Sequence, residues 1–145
     1  MANKQTKRRN LGIFTGIMFL ACFFTLPLIG GCDGSEILQA NMEARGSDST
    51  FIVLLLIAAL LCVTVGTFLF WKQRFRGAGA AGLLSIAGSV LALFIAKAGL
   101  SDFNPGAWIC LLLLGVFTLS AVVPEEAIVW VPEIGEVGRA ERDGK

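Results

Sequence analysis

Four stretches of this chain contain no Asp, Glu, Lys or Arg: Leu11 to Gly31, Phe51 to Trp71, Ala78 to Ala96 and Gly106 to Val123. About twenty apolar residues wound as a helix cross the roughly 30 Å hydrocarbon core of a bilayer, so each stretch is long enough to span it. The expected fold is therefore an all-α membrane protein, a four-helix transmembrane bundle over residues 1–123 followed by a tail over 124–145. Only 16% of the residues are charged, against about a quarter in an ordinary soluble domain. The polar pieces between the stretches are too short to bury a soluble core of their own, so one domain is expected.

Charge gives the expected orientation. Lys4, Lys7, Arg8 and Arg9 precede the first stretch, Lys72, Arg74 and Arg76 lie between the second and third, and Arg139, Arg142 and Lys145 lie in the tail. The intervening segments carry only Arg45 and Lys97. Basic residues concentrate on the cytoplasmic side, which predicts both termini in the cytoplasm of a bacterial-type inner membrane. The same rule accounts for the basic clusters without nucleic acid as a partner; the expected partners are the lipid bilayer and other membrane subunits, or further copies of the chain.

The chain has no His and no Tyr. It therefore lacks the side chain best suited to proton transfer near neutral pH, which is also the commonest transition-metal ligand. The cysteines, at 22, 32, 62 and 110, form no Cys-x-x-Cys pair, so neither a metal nor a cofactor is expected. Gly77-Ala78-Gly79 lacks the Lys-Ser or Lys-Thr of a phosphate-cradling loop. No acid, base and nucleophile share a depth, and the chain reads as non-enzymatic. Lys97 is the one candidate functional charge near a span; at the end of the third stretch it is expected to snorkel to the interface. The hydroxyls within the spans are expected to bond to their own helix backbones.

The first stretch has two readings. Lys4 to Asn10, an apolar run and then Leu28-Ile29-Gly30-Gly31-Cys32 resemble a bacterial lipoprotein signal, in which small residues precede a Cys lipidated after cleavage. The run is longer than a signal core of roughly 7–15 residues and contains Pro27, which favours a retained span. Cys32 is thus a candidate lipidation site or free thiol. Phe24-Thr25-Leu26-Pro27 leading to Cys32-Asp33-Gly34 also resembles a pattern in small, uncharacterised bacterial four-span membrane proteins, where a Leu-Pro near the membrane exit precedes a Cys and Gly. That resemblance implies an uncleaved first span and no particular activity.

What remains are contact surfaces. Gly12-x-x-x-Gly16 allows close helix approach, and Ala81, Ser85, Ser89 and Ala92 form a small-residue face that predicts the third span to be the most buried helix. Asp33 and Glu36 form a capping-box pattern for a short amphipathic helix ended by Gly46, and Asp48 or Ser49 is expected to cap the second span. Asn104 before Pro105 marks the start of the fourth span. In the tail, Ile128, Trp130 and Ile134 lie on one side of an extended segment suited to the interface or to docking a partner. The expected function is an accessory or scaffold subunit of a membrane complex; the alternatives are a small oligomeric transporter or channel, and a lipoprotein cleaved before Cys32.

Overall fold

The computed structural model describes residues 2–44, 46–97 and 99–123. The tail segment with Ile128, Trp130 and Ile134 lies outside them. The described residues form five α-helices, α1 (Ala2–Thr25), α2 (Gly34–Glu43), α3 (Ser47–Trp71), α4 (Phe75–Ile95) and α5 (Pro105–Val122), with one 3-10 turn at Leu100–Asp102. No strand occurs among them, only two isolated bridges that join Ile29 to Cys32 and to Phe103.

The three helices α3, α4 and α5 are long and apolar enough to cross a membrane. The first predicted span differs from expectation at both ends. Its helix starts far earlier, at Ala2, because nothing in the basic segment breaks it, and it ends at Thr25 rather than Gly31. The ring of Pro27 pushes the preceding residue out of the helical region, so the last turn cannot continue through it. The uncharged part of α1, Leu11 to Thr25, is consequently only about 22 Å long at 1.5 Å per residue.

Beyond Pro27 the chain turns sharply. Cys32 N–H donates to Ile29 O at 3.0 Å across Gly30 and Gly31, and Leu28 N–H donates to Cys32 O at 2.7 Å. The two glycines have φ of 59° and 89°, the pair of positive values a type I′ turn requires and side chains resist. Asn104 N–H donates to Leu28 O at 2.9 Å, which ties this turn to the start of α5.

α2 has the expected capping box: Asp33 Oδ1 accepts from Glu36 N–H, and Glu36 Oε2 accepts from Asp33 N–H, both at 3.0 Å. Its end is not at Gly46, however. α2 stops at Glu43 with Ala44 as C-cap, and Gly46, at φ −120°, is the N-cap of α3. Neither Asp48 nor Ser49 caps that helix; Asp48 lies in its first turn, where a carboxylate suits the positive end of the dipole. α3 and α4 form a hairpin closed by a Schellman motif, with Gln73 at φ 58° and bonds from Gln73 N–H to Phe70 O and from Arg74 N–H to Leu69 O.

α1 packs against α3 and α5, α4 packs against the same two helices, and α2 rests on α1 and α3. One buried cluster, with Phe19, Phe23, Leu28 and Leu114, occupies the Cys32 end of the molecule; a second, with Phe70, Ala78, Phe117 and Ala121, occupies the other. Of the apolar windows of the three spanning helices, α5's is the most buried at 39%, against 33% for α4, so the small-residue helix is not the innermost. α5 packs between α1 and α4. The outward faces are apolar too: Phe94 is 80% exposed, Trp71 70% and Leu112 69%, a surface that suits lipid and not water.

Candidate functional site

The glycine and small-residue faces are sockets for side chains. A Cβ on Gly12 would fall 2.5 Å from three ring atoms of Phe70, one on Gly16 would meet Thr67 Oγ1, and one on Gly66 would lie 2.8 Å from Phe117 Cζ. The two phenylalanines are fully buried and stack edge-on with centroids 5.2 Å apart. Gly12-x-x-x-Gly16 thus faces α3 within the molecule. On α4, Ala81, Ser85 and Ala92 are buried, and Ser85 Oγ donates to Ala59 O of α3 at 3.1 Å. That bond crosses between helices, unlike those of Thr15, Thr64, Thr67 and Thr118, which return to their own backbones as expected.

At the basic end lies a feature that the sequence reading missed. Arg8 is only 9% exposed. Its Nε donates to Ser120 O at 2.6 Å, a second guanidinium nitrogen donates to Ala121 O, and the guanidinium carbon stands 4.4 Å from the centroid of the Phe75 ring. A cation is thereby placed on the last carbonyls of α5, at the negative end of its dipole. Phe75 continues the stack onto Phe70 at 5.8 Å. A run of basic residues before a span has an adequate explanation in topology, so only the fold could single out this one.

At the opposite end the helices line a half-open chamber of about 690 Å³. Phe19 and Phe23 of α1, Ile52 and Leu56 of α3, and Leu93 and Leu111 form its apolar walls, with Leu114 at its base and α2 across its top. Cys32, Ser89, Ala92 and Lys97, candidate site residues drawn from separate parts of the sequence, line this one space. Gly12, Gly16, Ala81 and Ser85 do not.

The polar groups at the mouth divide into committed and free. Asp102 Oδ2 accepts from Gly99 N–H at 2.8 Å, and Glu36 is held in the capping box. Asp33, beside them, is kept below its ordinary carboxyl value by the hydroxyl of Ser35 and then by the N–H of Glu36. Lys97 is exposed, at φ 52° just beyond the C-terminus of α4, and its ammonium has no ion pair among the described residues. Cys32 is an exposed free thiol, and Cys22, Cys62 and Cys110 are free as well. Among the described residues no group of His, Cys, Asp and Glu is placed to hold a metal.

No family model matches the chain, and no curated protein or solved structure matches it. Its class follows from the fold itself: an all-helical protein with three membrane-length apolar helices is a transmembrane-helix protein.

Proposed function

We propose that the chain is a four-span protein of a bacterial-type inner membrane, with both termini cytoplasmic, that acts by binding and not by catalysis, as an accessory or scaffold subunit of a membrane complex. α1 is the fourth span in this reading. It packs against both α3 and α5, and its basic segment lies with Lys72, Arg74 and Arg76 at one end of the molecule, while Asp33, Glu36, Glu43, Asp48 and Asp102 lie at the other. That separation supports cytoplasmic termini. The Gly30-Gly31 pair of the lipoprotein-like segment has its own structural reason, the turn that ties α1 to α5, which favours a retained first span.

The observation that carries the binding role is the chamber. It has room for a guest, and its carboxylates, on Glu36 and Asp102, accept from backbone N–H groups. Val63, Phe117 and Phe70 are fully buried towards the other end of the molecule, a packed interior that supports holding over conduction. Native mass spectrometry of the C-terminally tagged protein, extracted mildly, tests the role. A foreign membrane chain at fixed stoichiometry, weakened by deletion of residues 124–145, is the expected result. A homo-oligomer alone, with solute flux in liposomes, overturns it in favour of a channel or transporter.

A further inference from the structure

We propose that the open groove between the α3–α4 hairpin and the end of α5 is a site for one anionic phospholipid, its phosphate held by Arg74 and Arg76. The inference goes beyond the accessory role and does not depend on it. The groove, of about 720 Å³, is lined by Arg8, Gln73, Arg74 and Arg76 over an apolar floor that includes Leu69 and Val122. No carboxylate lines it among the described residues, and residues 2–32, 49–101 and 103–123 contain no Asp or Glu at all. Arg74 and Arg76 are exposed, and neither side chain makes a hydrogen bond or ion pair among the described residues. Arg8 gives only part of its fork of N–H donors to the α5 carbonyls and fixes a buried positive charge in the wall. The groove is therefore cationic with nothing on the described chain to balance it.

Topology explains why basic residues lie at this end, but not where on it they stand. Arg74 is the N-cap residue of α4 and Arg76 lies in its first turn, which has no side-chain cap and no acidic residue. Cations there oppose the positive end of the helix dipole, and an anion between them relieves that opposition while it accepts from both guanidinium forks. The depth of the groove makes the anion a lipid. Both α3 and α4 are long and apolar enough to cross a bilayer, so the hairpin that joins them stands at a membrane surface, where the exposed Trp71 suits the headgroup level. Val122, on the groove's floor, is itself 61% exposed, and acyl chains can leave along that apolar surface. A free phosphate would use none of it.

The full chain in a neutral maltoside detergent is titrated with phosphatidylglycerol and with phosphatidylcholine of the same acyl chains, and the adducts are counted by native mass spectrometry. Both lipids carry the phosphate, but choline adds a cation that the arginines repel. One phosphatidylglycerol per chain is expected, favoured about tenfold or more, the scale of a charge-assisted contact. Arg74→Gln and Arg76→Gln should each weaken the preference and together abolish it, without lowering the melting temperature. Lys72→Gln removes a charge from the same hairpin but outside the groove, where the ammonium stands 5.6 Å from the centroid of the Phe68 ring, and should leave most of the preference. Equal binding of the two lipids, or a preference that survives loss of both arginines, would overturn the proposal. So would a preference that falls as far with Lys72→Gln as with Arg76→Gln, since the attraction would then be one of diffuse charge. Displacement of the lipid by an equal concentration of glycerol phosphate would assign the groove to a soluble phosphate. A preference that appears only with Glu125→Gln/Glu126→Gln would assign it to those carboxylates, which follow α5 in the sequence, and either result also refutes the lipid. A foreign chain that still co-purifies leaves the accessory role standing in every case.

Discussion

Replacing Arg8 by Ala should loosen the whole basic end of the molecule. The side chain makes two charge-assisted bonds to Ser120 O and Ala121 O and stacks on Phe75, and it is 91% covered since only 9% of it is exposed. Each hydrogen bond to a charged group contributes about 1.5–3 kcal/mol, and the cation–π contact about 0.5–2 kcal/mol. Against this stands the cost of withdrawing the guanidinium from water, and two freed carbonyls at a helix end can regain water. A net loss of about 3 kcal/mol is a reasonable balance. For a soluble chain of this size, 1 kcal/mol shifts the melting point by about 2–4 °C, so the expected fall is about 6–12 °C. Arg8→Lys keeps the charge but loses the fork, and should recover about half. The assay can use the protein's own thiols. Cys22 and Cys110 are buried at the far end, so a maleimide dye reports global unfolding once exposed Cys32 and half-buried Cys62 are changed to Ser. A melting point for Arg8→Ala within a degree of the unaltered protein would refute the argument, and so would full recovery with Lys.

Gly12→Ala should cost about 1–3 kcal/mol by the same assay, because the new methyl meets a Phe70 ring held between Phe75 and Phe117 and unable to withdraw. An unchanged melting point with lost self-association would show instead that this face belongs to a dimer. Gly30→Ala separates the turn from the lipoprotein reading: at φ 59° an alanine should destabilise by about 1–2 kcal/mol, whereas a signal would be processed at least as well with Ala there. Intact mass shows which: shortened, lipidated protein contradicts the turn. The α2 cap should be sensitive to acid. Asp33 titrates lower folded than its ordinary carboxyl value of 3.8, so its contribution is complete above that pH and is lost as pH falls through the lower folded value. Amide protection of Ser35 and Glu36 should decline in that range, and protection that stays level down to pH 2 contradicts it.

What could be read from the sequence depended on how far apart the deciding residues lie. The α2 capping box is written within four residues, from Asp33 to Glu36, and it is present as read. Trp71 ends α3 and Pro105 begins α5 for reasons equally local, an aromatic at a helix end and a ring suited to the first helical position. At the first span two local rules compete: hydropathy extends it to Gly31, while Pro27 stops the helix at Thr25. Hydropathy reports what a residue tolerates around it, and proline reports what the backbone can do; the backbone constraint prevails because no apolar gain restores the lost hydrogen bond. The remaining features join residues from distant parts of the chain. Arg8 reaches across 112 positions to Ser120, and no pattern near Arg8 distinguishes it from Lys7 or Arg9. The chamber likewise unites Phe19, Glu36, Ile52, Ser89 and Lys97, each of which has an ordinary local explanation as a core residue, a cap, or a snorkelling charge. Its hollow lies where the small residues Ser89 and Ala92 of α4 form part of the wall, and a gap is a property of what the elements fail to fill. The same small-residue periodicity closes the space lower down, where Ala81 and Ser85 have Gly66, Phe117 and Ala59 to meet. One stripe on one helix therefore packs tightly at one end and lines a cavity at the other, and the difference lies entirely in its neighbours.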